Sequence, residues 1–195
     1  EFVRNQESGT KLRRSAKTTD EFLSLFDLNH CQQALPPELS QGERSRLAMA
    51  RALATRAAVL LLDEPLSHVD PVRKPGYWTI VQQIVAEEKI SMIFTSHEPE
   101  TVLRQAEHVI CLHEGSVVFD GAVRTLYNDP PNAQIGKFLG PVNWFCTDEA
   151  AAFLLSYGTG TAGVAIRPER LGLELTDDSA IEIVSQPFCG MYAES

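Results

Sequence analysis

Short apolar runs alternate with segments of helical periodicity in the first half of the chain. Residues 57–62 and 90–95 form largely apolar runs of strand length, and the first run stops at Asp63. Between them, the apolar side chains of residues 77–88 recur at helical spacing. This order of strand, helix and strand predicts an α/β fold whose parallel strands are buried on both faces and joined by right-handed crossovers.

Two further helices are predicted before the first strand. From Asp20 onward, apolar residues recur at helical spacing, with Thr19 or Asp20 as the N-cap, and we expect this helix to end before Pro36. The second helix begins at a Ser-x-x-Glu capping box formed by Ser40 and Glu43. It continues to about residue 55 through a stretch rich in Ala, Leu and Arg, which are strong helix formers.

The rest of the chain is predicted to contain mainly β-structure. A polar helix to about residue 106 precedes apolar runs at 109–112 and 117–119, which predict a hairpin that turns at Gly115. After a Pro-rich breaker, a boundary near residue 140 separates a first domain, 1–140, from a β-rich segment, 141–195. Within that segment a helix is predicted at 149–155, and strands at 164–166, 171–175 and 181–184.

The charge balance argues against nucleic acid as a partner. The 195 residues carry a formal net charge of −9. A protein that binds the phosphate backbone needs a basic face to neutralise it. We therefore expect no direct binding of nucleic acid.

The four cysteines and the distribution of apolar residues indicate a reducing compartment and no membrane span. The cysteines are scattered, without the close pairs typical of zinc or redox sites. No apolar stretch approaches the roughly 18 residues of a membrane helix. Any association with a membrane is therefore expected to come through a partner.

The loop that opens the second helix can be interpreted in two ways. A glycine-bearing loop at a helix N-terminus presents free backbone N–H groups and the positive end of the helix dipole, which suit an anion such as phosphate. Ser40 and Gly42 would then face the phosphate. Alternatively, Ser40 and Glu43 only cap the helix, which the tetrapeptide alone would favour. Its position before the strand that ends at Asp63 and Glu64 favours the phosphate site.

Two adjacent carboxylates follow the first strand. The carboxyl end of a strand is where an α/β sheet places ligands, and nucleotide hydrolysis requires both a magnesium ligand and a group that orients water. Asp63 suits the metal and Glu64 suits the water. An isolated Asp-Glu pair would more often be an acidic turn, but four aliphatic residues precede this one.

The order of these motifs resembles that of the ATP-binding cassette (ABC) family. A segment with the sequence Leu-Ser-Gln-Gly-Glu opens a helix, an apolar strand ends in Asp-Glu, Ser-His-Val-Asp follows at 67–70, and a second strand ends at His97. The resemblance implies an incomplete P-loop NTPase-type domain with mainly parallel strands over residues 1–140. It continues more weakly into the tail, which is similar to the oligonucleotide-fold-like (TOBE-like) regulatory domain of some importer ATPases.

The resemblance also implies ligands and site residues. ATP and Mg²⁺ are the expected cofactors, with Asp63 as the metal ligand, Glu64 as the catalytic group and His97 as the switch histidine at the terminal phosphate. Asp70 matches the loop that crosses the dimer interface, although the family's usual small second residue is here His68. The other four histidines are expected to be surface or core residues without a catalytic role. The nucleotide-contacting positions are Leu39, Ser40, Gln41, Gly42, Glu43 and Asp70.

Partners and location follow from the same resemblance. We expect a homodimer, or a pair with a second ATPase subunit, bound to integral membrane permease subunits of a bacterial importer. The protein would then lie in the cytoplasm, peripherally on the inner face of the cell membrane.

The phosphate-cradling pattern Gly-x-x-x-x-Gly-Lys-Ser/Thr does not occur in the sequence. We therefore interpret the chain as a fragment of an importer ATPase that starts downstream of this loop and is inactive alone. Two alternatives stay open: a non-transport cassette ATPase, and a non-catalytic fragment that acts as a folded interaction module.

Overall fold

The computed structural model describes residues 17–146, 148, 150 and 163–170. The chain divides into two compact units at the junction between Ala106 and Glu107. The described part is mixed α/β, as predicted, with one parallel and two antiparallel strand pairs. The predicted boundary at residue 140 remains a prediction. Most of the predicted helix at 149–155, and the predicted strands at 171–175 and 181–184, lie outside the described residues.

The described part of the first unit contains helices and one parallel strand pair. Its elements are α1 (Thr19–Leu25), α2 (Gln41–Ala54), β1 (Val59–Leu62), α3 (Lys74–Glu88), β2 (Ser91–Phe94) and α4 (Pro99–Gln105). Short 3-10 turns lie at Asn29–Cys31 and Pro36–Glu38. The predicted order of helix, strand, helix and strand is confirmed, with Leu60 opposite Met92 and Leu62 opposite Phe94.

The helix starts follow local capping chemistry. Ser40 caps α2 as predicted, but α1 begins one residue earlier than expected, with Thr18 as its N-cap. The Thr18 hydroxyl accepts a hydrogen bond from the Glu21 amide at 3.3 Å, and the Glu21 carboxylate accepts one from the Thr18 amide at 2.5 Å. This reciprocal pair satisfies two amides that the helix leaves free, which neither Thr19 nor Asp20 does here.

One face of the parallel strand pair is covered and the other is open. Leu60 is 6% exposed and belongs to a core built with α1, α2 and α3, whereas Leu61 is 75% exposed. Val59 and Ile93, on the same face as Leu61, are 52% and 62% exposed. The prediction that these strands are buried on both faces is therefore wrong for the described part of the chain, whose helices cover only the face that carries Leu60.

A buried arginine connects helices α1, α2 and α3. The Arg46 Nε atom donates to the Phe26 carbonyl at 2.9 Å, and its guanidinium lies 5.5 Å from the Tyr77 ring centre. The Tyr77 hydroxyl donates to Asp27 at 2.7 Å. Burial and the hydrogen bond to Asp27 raise the pKa of Tyr77. These contacts hold α2, which carries the predicted site residues, against α1 and α3.

The second unit contains two antiparallel strand pairs in its described part. Its elements are β3 (His108–His113), β4 (Ser116–Ala122), α5 (Val123–Asn128), α6 (Ala133–Gly136), β5 (Asn143–Phe145) and β6 (Val164–Ile166). The hairpin at Gly115 and the strand at 164–166 are confirmed. Arg167 is 2% exposed, and its guanidinium donates to the carbonyls of Tyr127, Gly136, Gly140 and Pro141.

Candidate functional site

The first turn of α2 is ordered by its own side chains. The Glu43 Oε2 atom accepts hydrogen bonds from the Ser40 amide at 2.8 Å and the Ser40 hydroxyl at 2.7 Å. The Ser40 Oγ atom in turn accepts from the Glu43 amide at 3.2 Å. These bonds, together with one to His30, lower the pKa of Glu43 to about 2. The capping interpretation of Ser40 and Glu43 is thus confirmed, and the phosphate site at this turn stays a prediction.

Gly42 allows this turn to approach the loop that follows β1. A Cβ atom at Gly42 would lie 3.1 Å from the carbonyl oxygen of His68. That distance is tighter than ordinary van der Waals contact, so a larger residue would push the loop away. The glycine therefore has a steric role in this chain, in addition to any contact with a ligand.

Asp63 and Glu64 end the first strand beside Thr95, which follows the second. The Thr95 hydroxyl donates to Asp63 Oδ1 at 2.5 Å and accepts from the Glu64 amide at 3.0 Å. The Thr95 amide also donates to the Leu62 carbonyl at 2.9 Å, which continues the parallel ladder by one step. Sequence reasoning missed Thr95, although a hydroxyl residue one step beyond β2, in register with Asp63, was a usable signal.

His97 and Glu64 are brought into direct contact. The His97 Nδ1 atom and the Glu64 Oε1 atom are 2.7 Å apart, with side chains 76% and 37% exposed. The hydrogen bond and charge of Glu64 raise the pKa of His97. Glu64 has φ 44, in the left-handed region that non-glycine residues rarely occupy. The strand end is thus turned so that the Glu64 carboxylate meets His97.

An open cleft lies between the start of α2 and the end of β1. It is lined by Gln41, Arg44, Ser45, Asp63, Glu64, Ser67 and His68. The predicted residues Gln41, Asp63 and Glu64 therefore share one cleft, and Arg44 adds a cation that sequence reasoning missed. An arginine beside two carboxylates provides both signs of charge, as a bound phosphate with its metal ion requires.

Five of the six predicted nucleotide contacts do not line this cleft: Leu39, Ser40, Gly42, Glu43 and Asp70. Leu39 and Asp70 lie farthest along the chain from Gln41, on either side of it. Leu39 is 5% exposed, so its side chain is buried. Asp70 caps the turn before α3, where its Oδ1 atom accepts from the Val72 amide at 3.1 Å. Neither residue lines the cleft. Their assignment as nucleotide contacts stays a prediction that this single chain does not test.

Comparisons with known proteins agree with the motif order. Residues 2–67 match the family model described as ABC transporter. The chain is 30% identical to the glucose import ATP-binding protein GlcV of Saccharolobus solfataricus, over 85% of this chain and 50% of that protein. It is 32% identical to the Fe(3+) ions import ATP-binding protein FbpC 1 of Rhizobium meliloti, over 73% of this chain and 40% of that protein.

Two further similarities are of the same kind. The molybdenum import ATP-binding protein ModC 1 of Azotobacter vinelandii is 34% identical over 88% of this chain and 50% of its own length. The crystal structure of an ABC transporter's ATP-binding cassette in its ADP conformation aligns with a TM-score of 0.48 and 24% identity, over 59% of this chain and 46% of that one.

The described part is mixed α/β, and the motif segments 39–43 and 63–64 lie at the start of α2 and just after β1. The sequence matches relate the chain to the ABC transporter family over residues 2–67, and the relatives named above are import ATP-binding proteins. The chain spans about half the length of the curated relatives it matches. Within the described residues, no helix is long and apolar enough to cross a membrane.

Proposed function

We propose that this chain is part of the ATP-hydrolysing, energy-coupling subunit of a bacterial ABC importer. The observation that carries the proposal is the cluster at the carboxyl ends of β1 and β2, where Asp63, Glu64, Thr95 and His97 are joined by hydrogen bonds of 2.5 to 3.0 Å. A metal ligand, a water-orienting carboxylate and a cationic side chain are what phosphoryl transfer to water requires at one place.

The donor set at Asp63 fits Mg²⁺, which prefers oxygen ligands. The hydrogen bond from Thr95 involves Oδ1 and holds the carboxylate in one orientation. Asp63 would therefore hold the ion with its other carboxylate oxygen. Bound there, the ion would neutralise charge on the phosphate oxygens.

Glu64 and His97 would act on the water and the terminal phosphate. His97 contacts only the Oε1 atom of Glu64, so Oε2 can accept a hydrogen bond from the attacking water. The raised pKa of His97 favours the imidazolium form, whose positive charge would stabilise the phosphate. Catalysis would then depend on positioning and electrostatics, with Glu64 as the general base.

The start of α2 would serve a second nucleotide. We propose that two ATPase subunits, in a homodimer or a pair with a second subunit, enclose ATP. The turn containing Ser40 and Gly42 in one would face the phosphate loop of the other, and Asp70 would lie at their interface. ATP-driven closure would act on membrane permease subunits, which would hold the dimer at the inner face of the membrane. Because the permease subunits would select the solute, the residues of the ATPase would not determine which solute is transported.

The phosphate loop is the part of this site that the 195 residues do not contain. We therefore propose that the chain alone does not hydrolyse ATP. Fusing the phosphate-loop segment of an ABC ATPase ahead of it should produce Mg²⁺-dependent hydrolysis. In that fusion, Glu64→Gln should keep ATP binding and lower the hydrolysis rate by roughly a hundredfold or more, as loss of a general base does.

Glu88→Gln supplies the matched control, since Glu88 lies at the far end of α3 and makes no contact with the cleft. It should hydrolyse ATP like the parent fusion. Full activity in the Glu64→Gln fusion would contradict the catalytic assignment. Hydrolysis by the unfused chain that Glu64→Gln abolishes would instead show that the phosphate loop is dispensable, while keeping the role of Glu64.

A non-catalytic interaction module is the second candidate. The open face of the strand pair favours it, because Val59, Leu61 and Ile93 expose an apolar surface of the kind that other proteins or further strands cover. This candidate predicts that neither the chain nor the fusion binds ATP.

A further inference from the structure

Three potential metal ligands meet outside the cleft. His30 and Cys31 belong to the 3-10 turn that follows α1, and Glu43 belongs to the first turn of α2. One nitrogen, one sulfur and one oxygen ligand atom from these residues all lie within 4.8 Å of one another. This cluster could not be predicted from a short stretch of sequence, because Glu43 lies a dozen positions beyond His30 and Cys31.

The spacing of these atoms is close to what a small divalent cation needs. Zinc binds imidazole nitrogen and carboxylate oxygen at about 2.0 Å and thiolate sulfur at about 2.3 Å, in tetrahedral geometry. Tetrahedral ligand atoms are then roughly 3.3–3.8 Å apart. Modest rotations of the three side chains would bring the present cluster to that geometry.

The two oxygens of Glu43 already have separate partners. Oε2 accepts the hydrogen bonds from Ser40 that cap α2, whereas Oε1 lies 2.7 Å from His30 Nε2. A cation could therefore take the place of the His30 contact at Oε1 without disturbing the helix cap. The His30 side chain is 63% exposed, so the site is open to solvent and can retain water as a fourth ligand.

From this geometry we propose that His30, Cys31 and Glu43 form a binding site for a zinc-like divalent transition-metal ion. A mixed nitrogen, sulfur and oxygen donor set suits such borderline ions better than Mg²⁺ or Ca²⁺. The Cys31 thiol now donates to the Leu28 carbonyl at 3.3 Å. On binding, the thiol proton passes to solvent, the thiolate bonds the metal, and neutral His30 binds through Nε2 with its proton on Nδ1.

The bound ion would add a cross-link between the 3-10 turn after α1 and the first turn of α2, where His30 now contacts Glu43. Because the three ligands meet only in the folded chain, binding of the ion would stabilise the fold. None of the three residues lines the cleft beside Asp63.

The test is titration of the whole chain with Co²⁺ and Zn²⁺, followed by absorption spectroscopy and calorimetry. The wild type should bind one ion per chain at this site, show a thiolate-to-cobalt charge-transfer band, and unfold at a higher temperature with Zn²⁺. Cys31→Ser should lose the band. Cys31→Ser and His30→Ala should each weaken binding roughly tenfold or more, as loss of a group that supports a metal site does.

Glu43→Gln separates ligation from capping, because glutamine can still complete a capping box. It should bind the ion more weakly while keeping the helix content of the wild type. His108→Ala is the matched control: His108 pairs with Asp120 as His30 pairs with Glu43, but belongs to no such cluster in the described residues. Cys146→Ser controls for the loss of a thiol elsewhere, and both controls should bind like the wild type.

Two results would overturn the proposal. One is the absence of saturable binding by the wild type. The other is unchanged affinity and an unchanged cobalt spectrum in both His30→Ala and Cys31→Ser, which would place the bound ion elsewhere.

Discussion

At the scale of single residues, the candidate active site depends on two contacts that neighbouring strands bring together. Thr95 bridges Asp63 to the backbone of Glu64, and His97 meets the Glu64 carboxylate at 2.7 Å. Thr95 therefore positions Asp63, and His97 positions Glu64. The first contact involves the proposed metal ligand, and the second involves the proposed water-orienting group.

The protonation of His97 should depend on Glu64. Because Glu64 raises the pKa of His97, the folded value should lie above the ordinary value near 6.5. The pair then stabilises the fold fully below pH 6.5 and loses this contribution as pH rises through the folded pKa. A histidine NMR titration should show the raised pKa, and Glu64→Gln should lower it. An unchanged His97 titration in that variant would contradict the contact.

At the scale of elements, α2 is fixed at its start by one serine. Ser40→Ala removes the acceptor for the Glu43 amide and should cost about 1 kcal/mol in the free energy of unfolding. Ser45→Ala is the same chemical change inside the helix and should be neutral or slightly stabilising, because alanine has the higher helix propensity. Urea denaturation measures both, and equal effects would show that the cap is unimportant.

The strand pair offers a second comparison within one element. Leu60→Ala removes a side chain that is 6% exposed and should cost about 2–5 kcal/mol, from lost burial and a cavity. Leu61→Ala, one residue away but 75% exposed, should change the free energy of unfolding by less than about 0.5 kcal/mol. Urea denaturation of the whole chain measures the two costs. A large cost at Leu61 would mean that this face is covered in solution.

At the scale of the whole molecule, the net charge favours a transport ATPase over a cassette ATPase that acts on nucleic acid. The formal net charge of −9 gives the chain little attraction for a phosphate backbone. We expect no change in the fluorescence anisotropy of labelled duplex DNA on adding the protein at about 0.15 M salt. Binding that weakens steeply as salt is raised would instead favour a non-transport cassette ATPase.

Much of the local structure could be predicted from the sequence, because its causes lie within a few residues. Three features depend only on a few neighbouring residues, and each is confirmed: the capping box at Ser40, the strand before Asp63 and the hairpin at Gly115. The position of His97 at the same sheet edge as Glu64 also followed, since parallel strands end at one edge; their contact is a finding of the structure.

Other features were decided by tertiary structure, because they depend on segments far apart in the chain. Periodicity cannot tell whether helices cover one face of a strand or both, and here Leu61 stays open while Leu60 is buried. The contact of His30 and Cys31 with Glu43 also depends on tertiary structure, since the segment between α1 and α2 must fold to bring these residues together. The sequence alone thus determined the elements and the position of Asp63 and Glu64 after β1, and packing decided which surfaces and side chains meet.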